Sequence, residues 1–523
     1  MPALRRKPNE LAGQAMPLLL LGMGLIASNR YVTFVDGEVR SLDAAAQPVG
    51  TLFTSYLAGP AHSDLPPLYG IVLHFWLRWT NWNFEYLRIP AIAFFLIGLF
   101  FLARSAHRFG GPVAASAAVW VGMLWPFGFH YGRLAAPYSF VFFLIAGLTF
   151  SYLRFLEQGS FERWAVMFVF GAALLWTNGF GWAVLVCLAI DQVVRRRAGE
   201  TTIPIAVLAR TAILWIAAYV PLVRGSYGDW AAVLRVHRGF SPAAVNCALQ
   251  IYNLFVSESI APWRWQLSVL AAIGVLACVV IVFLKGTWAS RRFLIYGLGL
   301  IVIMAAIGIL APRRLFFAGP WVVLALAVAI GSIESQWARP SFAAALLLIG
   351  ALGWYGIYSR RFYSAPQFLE SWSELAGEDA VKIQTGAAVI SNSRPFFLYL
   401  TYALQPPTSG LQPILIGLLP DSTAQTAVKA AQQWLSAGRP MSPTMIWIHG
   451  ADDPASEDAM AIAAAELDRT CGSRVSRLMM RDAGFAWKQR FLSEPAASPW
   501  RIESREYDCT SSSSREIYPI PSR

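Results

Sequence analysis

Just past the first long apolar run the chain reads Val35-Asp36-Gly37-Glu38, two carboxylates separated by one glycine. An acid at a membrane surface can act as a general base, taking the proton of a hydroxyl whose reaction partner arrives from the bilayer. Gly37 lets the backbone turn sharply there. The other reading of these residues is a solvated turn beyond a helix end. A second cluster, His62-Ser63-Asp64, precedes Pro66-Pro67-Leu68-Tyr69. Asp64 suits the cap of the helix that the prolines open. His62 and Asp64 could equally orient a substrate, but two ligands are too few for a metal site.

The cations that could meet a phosphate are arginines, because Lys7 is followed by no lysine until Lys285. Arg88 stands before Ile89-Pro90, either as an interface anchor or as a phosphate contact. Arg133 lies in His130-Tyr131-Gly132-Arg133-Leu134-Ala135-Ala136-Pro137-Tyr138. An arginine on the outer side runs against the usual charge bias, so it calls for a partner: a lipid headgroup or a substrate phosphate. Arg313 and Arg314 raise the same choice with two adjacent charges.

These groups must be held by helices in a bilayer. Of 523 residues, 56% are hydrophobic and only 14% charged, with a mean hydropathy of +0.49. Ordinary soluble domains carry about 25% charge, which excludes a soluble single-domain enzyme, a disordered chain and a disulfide scaffold. The net charge of +12 sits in short clusters between apolar runs, a topology signal and not a nucleic-acid footprint. Eleven runs have the length of a span: about 16–35, 89–106, 111–129, 138–156, 161–178, 180–194, 203–223, 265–284, 293–311, 315–333 and 341–358. Arg104 and Arg108, Arg154 and Arg163, Arg195 to Arg197, Lys285 with Arg291 and Arg292, and Arg339 all fall on one side. The rule of positive loops inside then places the N-terminus in the cytoplasm, with 1–358 an inner-membrane module. The first run lacks a cleavage site and reads as an uncleaved anchor.

Three loops face outward, at 36–88, 130–137 and 224–263. The first holds two amphipathic stretches: Val49, Leu52, Phe53, Tyr56 and Leu57 at helical spacing, then 68–79, too short to cross and suited to the interface. In the third, Ser241 and Pro242 read as N-cap and first helical residue. Val245, Leu249, Tyr252 and Val256 then form one face, and Asn246, Gln250, Asn253 and Ser257 the other, a helix fit to roof a cavity.

An odd number of spans makes 359–523 extracytoplasmic. Its composition predicts a small α/β domain, with strands at 387–391 and 444–449, helices near 367–377, 424–437 and 455–470, and a Ser-rich tail. Cys471 and Cys509 both lie there, where an oxidising compartment would permit a disulfide. His449 before Gly450-Ala451-Asp452-Asp453 reads as a turn. Neither a nucleotide-binding nor a common hydrolase motif is found.

Taken in order, Asp36-Gly37-Glu38, Pro66-Pro67-Leu68-Tyr69, Arg88-Ile89-Pro90, Gly132-Arg133 with Pro137-Tyr138, and Arg313-Arg314-Leu315 resemble the C superfamily of glycosyltransferases. That group includes protein O-mannosyltransferases and lipid A aminoarabinose transferases. The resemblance covers roughly 16–360. It implies a polytopic helical fold and inverting transfer of a hexose or pentose from a polyprenyl-phosphate donor to a lipid, polysaccharide or protein acceptor on the outer face. It also implies Asp36 as general base, Glu38 as second choice, and Arg133, Arg313, Arg314 and Arg88 on the donor phosphate, with His62, Asp64, Tyr69 and Tyr138 near the substrate. A phosphate leaves as a stable anion, so positive charge can replace the second carboxyl that a glycosidase uses. Several family members carry a second acid just beyond the loop arginine. Here Leu134, Ala135, Ala136, Pro137, Tyr138 and Ser139 follow, so no metal or other cofactor is expected. Asn178 replaces a His-Tyr pair of relatives. A transporter or lipid flippase is the competing reading; the lack of repeats and the sparse intramembrane charge weigh against it.

Overall fold

The computed structural model describes residues 8–29, 36–58, 66–225, 240–307, 312–358, 379–383, 387–392, 415–417, 444–450, 454–481 and 501–509. The chain forms two compact units: Met1–Tyr31 with Arg40–Phe362, and Val32–Val39 with Tyr363–Arg523.

The first unit is helical, and the chain is a multi-pass membrane protein. Its helices are α1 (Pro8–Ser28), most of α2 (Asp36–Ala46), α3 (Val49–Ala58), α4 (Pro67–Trp79), α5 (Ile89–Leu124), α6 (Pro126–Tyr131), α7 (Tyr138–Gln158), α8 (Phe161–Thr177), α9 (Gly181–Arg197), α10 (Ile205–Tyr219), α11 (Phe240–Val256), α12 (Trp265–Lys285), α13 (Trp288–Ala306), α14 (Gly319–Ser332) and α15 (Ala338–Tyr358). Helix overlies every one of the eleven apolar runs. Among the described residues, six elements have the length and apolarity of a full crossing: α5, α7, α10 continued to Gly225, α12, α13 and α15. Helices α8 and α9 have 17 residues each and charged ends. Helix α1 ends at Ser28, short of the expected 35.

Two of the expected spans, 89–106 and 111–129, are the halves of α5, which is interrupted at Gly110 and Gly111. Gly111 has φ +65°, in the left-handed region that favours glycine. The chain reverses there. A Cβ on Gly122 would lie 2.3 Å from Leu99 Cδ2, whereas 23 residues along a straight helix span about 34 Å. The two halves therefore run antiparallel.

Helix α14 is buried at every position from Gly319 to Ala329 and packs most extensively on α5. At 14 residues it is about 21 Å long, less than the roughly 30 Å hydrocarbon core. Apolar on all sides, it is a central helix. The expected start at 315 moves to Gly319, because Pro312–Phe317 wind as a 3-10 helix and Pro320 suits the first turn of the new helix. On α12, by contrast, Val269, Ile273, Leu276, Val280 and Leu284 are exposed at helical spacing, a stripe of the kind that lipid covers.

The basic clusters meet at one end of this unit. Arg108 pairs with Glu157 at 2.8 Å, Arg163 donates to the Arg154 carbonyl, and Arg292 reaches Asp191 and Glu200 from α13. Chain ends and turns near Ser28, Arg88, Arg133 and Glu258 lie at the other.

The segments 36–88 and 224–263 contain the helices expected of them. Helices α3 and α4 match the two amphipathic stretches. Helix α11 begins at Phe240, so Ser241 and Pro242 fall inside its first turn, not before it. Its polar face is not solvated: Asn246, Gln250, Asn253 and Ser257 are all buried, with Gln250 Nε2 donating to Asn246 Oδ1 and Asn253 Nδ2 to Gln250 Oε1. The three amides thus bond along the face instead of to water.

In the second unit, β1 (Ala388–Ser391), β2 (Leu415–Gly417), β3 (Thr444–Gly450), β4 (Gly472–Arg481) and β5 (Arg501–Asp508) form one sheet in the order β2-β1-β3-β5-β4. The first three strands are mutually parallel; β5 is antiparallel to both β3 and β4. Helix α16 (Pro454–Thr470) contributes Met460, Ala463, Ala464 and Leu467 to a core with Ile390, Trp447 and Tyr507. Cys471 and Cys509 form a disulfide. The expected helices near 367–377 and 424–437, the residues after Gly450 and the Ser-rich tail lie outside the described residues.

Candidate functional site

The end of α1 is where Arg88 and Arg133 gather. Arg88 is the N-cap residue of α5 and donates from Nη1 to the Asn29 carbonyl at 3.1 Å. Arg133 donates from Nη1 to Ser28 Oγ, and its guanidinium lies 4.9 Å from the centre of the Phe129 ring. Both are buried, at 5% and 2% exposure. Neither is an anchor reaching into an interface, so the lipid-anchor reading of these two fails.

Local packing explains the turn that carries Arg133. Helix α6 begins at Pro126, ends at Tyr131 and is buried throughout. At Gly132 a Cβ would stand 2.4 Å from the Gly128 carbonyl oxygen and 2.9 Å from Phe95, so only glycine fits between α6 and α5. Leu134, Ala135 and Ala136 are fully buried behind it. Small apolar residues thus fill the place where a second acid was looked for.

His130, beside this pair, is wholly buried. Burial first, then the charges of Arg133 and Arg88, hold its pKa well below the ordinary 6.5, so the ring is neutral at pH 7. Tyr131 donates to Glu258 Oε2 at 3.1 Å. Its ring packs 4.7 Å from Phe127 and 6.4 Å from Phe316. Tyr138, half-buried, lies 5.9 Å from Tyr131 and 6.5 Å from Phe316.

Arg313 is exposed and Arg314 half-buried in the 3-10 helix Pro312–Phe317. With three residues per turn, neighbours on such a helix diverge by about 120°. The two side chains therefore leave the backbone in different directions. Arg313 is close enough for its charge to act on the Tyr131 phenol.

Tyr69 is buried on α4, its ring 5.9 Å from Phe140. With Ser41, Pro66, Pro137 and Thr177 it closes a small gap between the first loop and the start of α7. Asn178 accepts from the Phe180 amide at 3.0 Å, a structural turn. His62 and Asp64 lie outside the described residues.

The two acids differ from expectation. Asp36 and Gly37 open helix α2, so Gly37 does not make a turn. Glu38 is fully buried, which removes the solvated-turn reading for it. The side chain of Asp36 lies outside the described residues. Both acids belong with the second unit.

An apolar cavity of about 300 Å³ is lined by Trp120, Leu124, Trp125, Pro126, Leu326 and Leu347 among others. Helix α6 starts at its wall and, six residues on, reaches the Arg133 turn. Sequence reasoning missed His130, Glu258 and the oxygens of Ser28 and Asn29. An acid in the otherwise uncharged 254–261 was the available signal for Glu258; nothing in the pattern marks a helix-end carbonyl.

No family model and no curated protein matches this chain. Among solved structures it is similar to the crystal structure of ArnT from Cupriavidus metallidurans bound to undecaprenyl phosphate, at 12% identity and a TM-score of 0.38, over 96% of this chain and 99% of that one. The apo form of the same protein gives 12% and 0.36, over 95% and 98%. A mutant of the arabinofuranosyltransferase AftD from mycobacteria gives 14% and 0.43, over 96% of this chain and 42% of that one. Each is a low-scoring likeness that fixes no donor, acceptor or catalytic residue here.

Proposed function

We propose that this protein is an inverting glycosyltransferase of the C-superfamily type. It moves a sugar from a polyprenyl-phosphate donor to a cell-envelope acceptor at the outer face of the inner membrane. The observation that carries the reading is the pair of buried guanidiniums, Arg88 and Arg133, bonded to neutral oxygens at the end of α1, with an apolar cavity opening at the other end of the short helix α6. Buried arginines are suited to phosphate, and an apolar cavity to a hydrocarbon tail. A lipid phosphate has both.

In this reading the Asp36 carboxylate takes the proton of the acceptor hydroxyl, with Glu38 as the alternative base. The freed oxygen attacks the anomeric carbon opposite the phosphate, the bond from that carbon to the phosphate oxygen breaks, and the lipid phosphate departs as an anion. Arg133 and Arg88, with Arg313 or Arg314 at the rim, stabilise the negative charge as it develops, an effect largest in the transition state. Tyr138 and Tyr69, with His62 and Asp64 from the first loop, are assigned to substrate binding. Transfer without a metal is part of the proposal. So are a cytoplasmic N-terminus, an extracytoplasmic 359–523, and eleven crossings.

The test is transfer from a defined polyprenyl-phosphate sugar by the purified full-length protein. Asp36→Asn should abolish transfer and leave donor binding intact. Movement of labelled lipid across the bilayer that survives Asp36→Asn, with no transfer by the wild type, would favour a flippase.

A further inference from the structure

Glu258 is a buried acid that the proposed reaction leaves without a task. It lies in the 3-10 turn Ser257–Ser259 that follows α11, at 1% exposure. The turn opens on Ser257 at φ +60°, a conformation non-glycine residues seldom adopt. Taking a carboxylate out of water is costly, and such a backbone adds strain. Among the described residues of the first unit it is the buried carboxylate of the outer end; Asp191, the other buried acid, lies at the basic end.

Two bonds join the α11 end to α6. Trp125 Nε1 donates to the Leu254 carbonyl, and the Tyr131 hydroxyl donates to Glu258 Oε2. Burial, then the negative charge of Glu258, hold the phenol pKa well above 10, so the hydroxyl stays protonated and remains a donor. Tyr131 is followed directly by Gly132 and Arg133, and its ring meets His130 edge-on at 4.7 Å. The Leu134 amide closes the turn on the Tyr131 carbonyl.

We propose that Glu258 is a positioning residue: by holding the Tyr131 hydroxyl it fixes the turn from His130 to Arg133, and so aims the Arg133 guanidinium at the donor phosphate. The aiming step rests on the proposed function; the fixing of the turn does not. The Tyr131 bond requires an acceptor at 258, because the group it holds is a hydroxyl. A carboxamide oxygen should therefore serve.

The experiment compares Glu258→Ala, Glu258→Gln, Tyr131→Phe and the double variant Glu258→Ala with Tyr131→Phe, in the full chain in detergent micelles. Hydrogen exchange over 131–136 is followed without ligand, and undecaprenyl phosphate binding by titration. Glu258→Ala and Tyr131→Phe should each speed exchange at Leu134 and Ala136 and weaken binding by about tenfold. The double variant should be no worse than either single change, since both remove one bond, and Glu258→Gln should restore both readouts. Additive effects, or a Glu258→Gln as impaired as Glu258→Ala, would overturn the proposal. Should Glu258→Ala fail to fold, Tyr131→Phe decides alone: unchanged exchange and affinity would overturn it. The expected exchange pattern in a wild type that does not bind the probe would support the positioning role and overturn the phosphate reading alone.

Discussion

The Arg133 guanidinium donates to the Ser28 hydroxyl, a bond between residues 105 apart in sequence that ties the turn between α6 and α7 to the last turn of α1. Helix C-termini carry partial negative charge on their free carbonyls, and Arg88 takes one of these at Asn29. The end of α1 therefore draws two guanidiniums to one place without spending a carboxylate on either of these bonds. Each guanidinium has five N–H donors in a fixed fork, and each of these two bonds uses one of them.

Removing either guanidinium should cost affinity for a lipid phosphate. A hydrogen bond to a charged group is worth about 1.5–3 kcal/mol, so Arg133→Ala and Arg88→Ala should each weaken undecaprenyl phosphate binding roughly 10- to 100-fold. Arg313→Ala with Arg314→Ala should weaken it less, about threefold, because Arg313 is exposed and screened. Titration in detergent micelles measures all three. Unaltered affinity in the rim variant would make Arg313 and Arg314 lipid anchors.

The two acids of α2 should separate cleanly. Loss of a general base typically costs 10²- to 10⁴-fold, so Asp36→Asn should lower kcat by roughly that factor with donor affinity retained. Glu38→Gln, at a fully buried position, should lower the thermal midpoint and leave more activity than Asp36→Asn. If Glu38→Gln alone abolished turnover in a folded protein, the base would be Glu38.

What was legible in the chain follows from what short-range pattern encodes. Apolar period and basic flanks located the helices, and Pro66-Pro67 and Leu68 to Trp79 gave α4 nearly to the residue. The reversal at Gly110 and Gly111 matched the gap between two runs. The burial of Glu38 and of the polar face of α11 was not legible, because the partner that desolvates a residue lies far away in sequence. Strands β4 and β5 were missed for a related reason: Arg501 to Asp508 is rich in charge, and its core-facing set is only Tyr507 and the adjoining Cys509, too slight to read as a strand. The Arg133–Ser28 bond joins a polar residue at a helix end to a loop, and nothing in local spacing announces it.

His130 gives a pH dependence whose sign is fixed. Its pKa is depressed in the folded protein, so below about pH 6.5 the unfolded chain binds a proton that the folded one refuses. Stability should be full above that pH and fall as the pH is lowered toward the depressed value. Thermal midpoints between pH 8 and 5 measure this. His130→Gln should flatten the slope; an unchanged slope would assign the acid sensitivity to another group.

At the basic end, Asp191 is held by Arg195 at 2.6 Å and by the hydroxyls of Tyr152 and Tyr296 at 2.9 and 3.0 Å, with Arg292 3.6 Å away. This cluster joins α7, α9 and α13. Leaving a buried charge without its partner costs about 3–5 kcal/mol, so Asp191→Asn should lower the thermal midpoint sharply while the folded fraction binds lipid phosphate normally. Replacing the pair together, Asp191→Leu with Arg195→Met, should cost less than Asp191→Asn. A midpoint unmoved by Asp191→Asn would mean that the cluster contributes nothing.

The disulfide between Cys471 and Cys509 reports the side of the membrane as well as stability. It closes a segment with a sequence separation of 38, for which the stabilisation is typically 2–4 kcal/mol. Cytoplasmic thiols are kept reduced, so the bond forms in the cell only if the second unit is exported. In intact spheroplasts, a membrane-impermeant maleimide should leave both cysteines unlabelled until a reductant is added, and label both afterwards. Cys187 and Cys278 are buried and should stay silent throughout. Labelling without reductant in permeabilised cells alone would place the second unit in the cytoplasm. The acids of α2 would then face the cell interior, and a transfer reaction at the outer surface would lose its base.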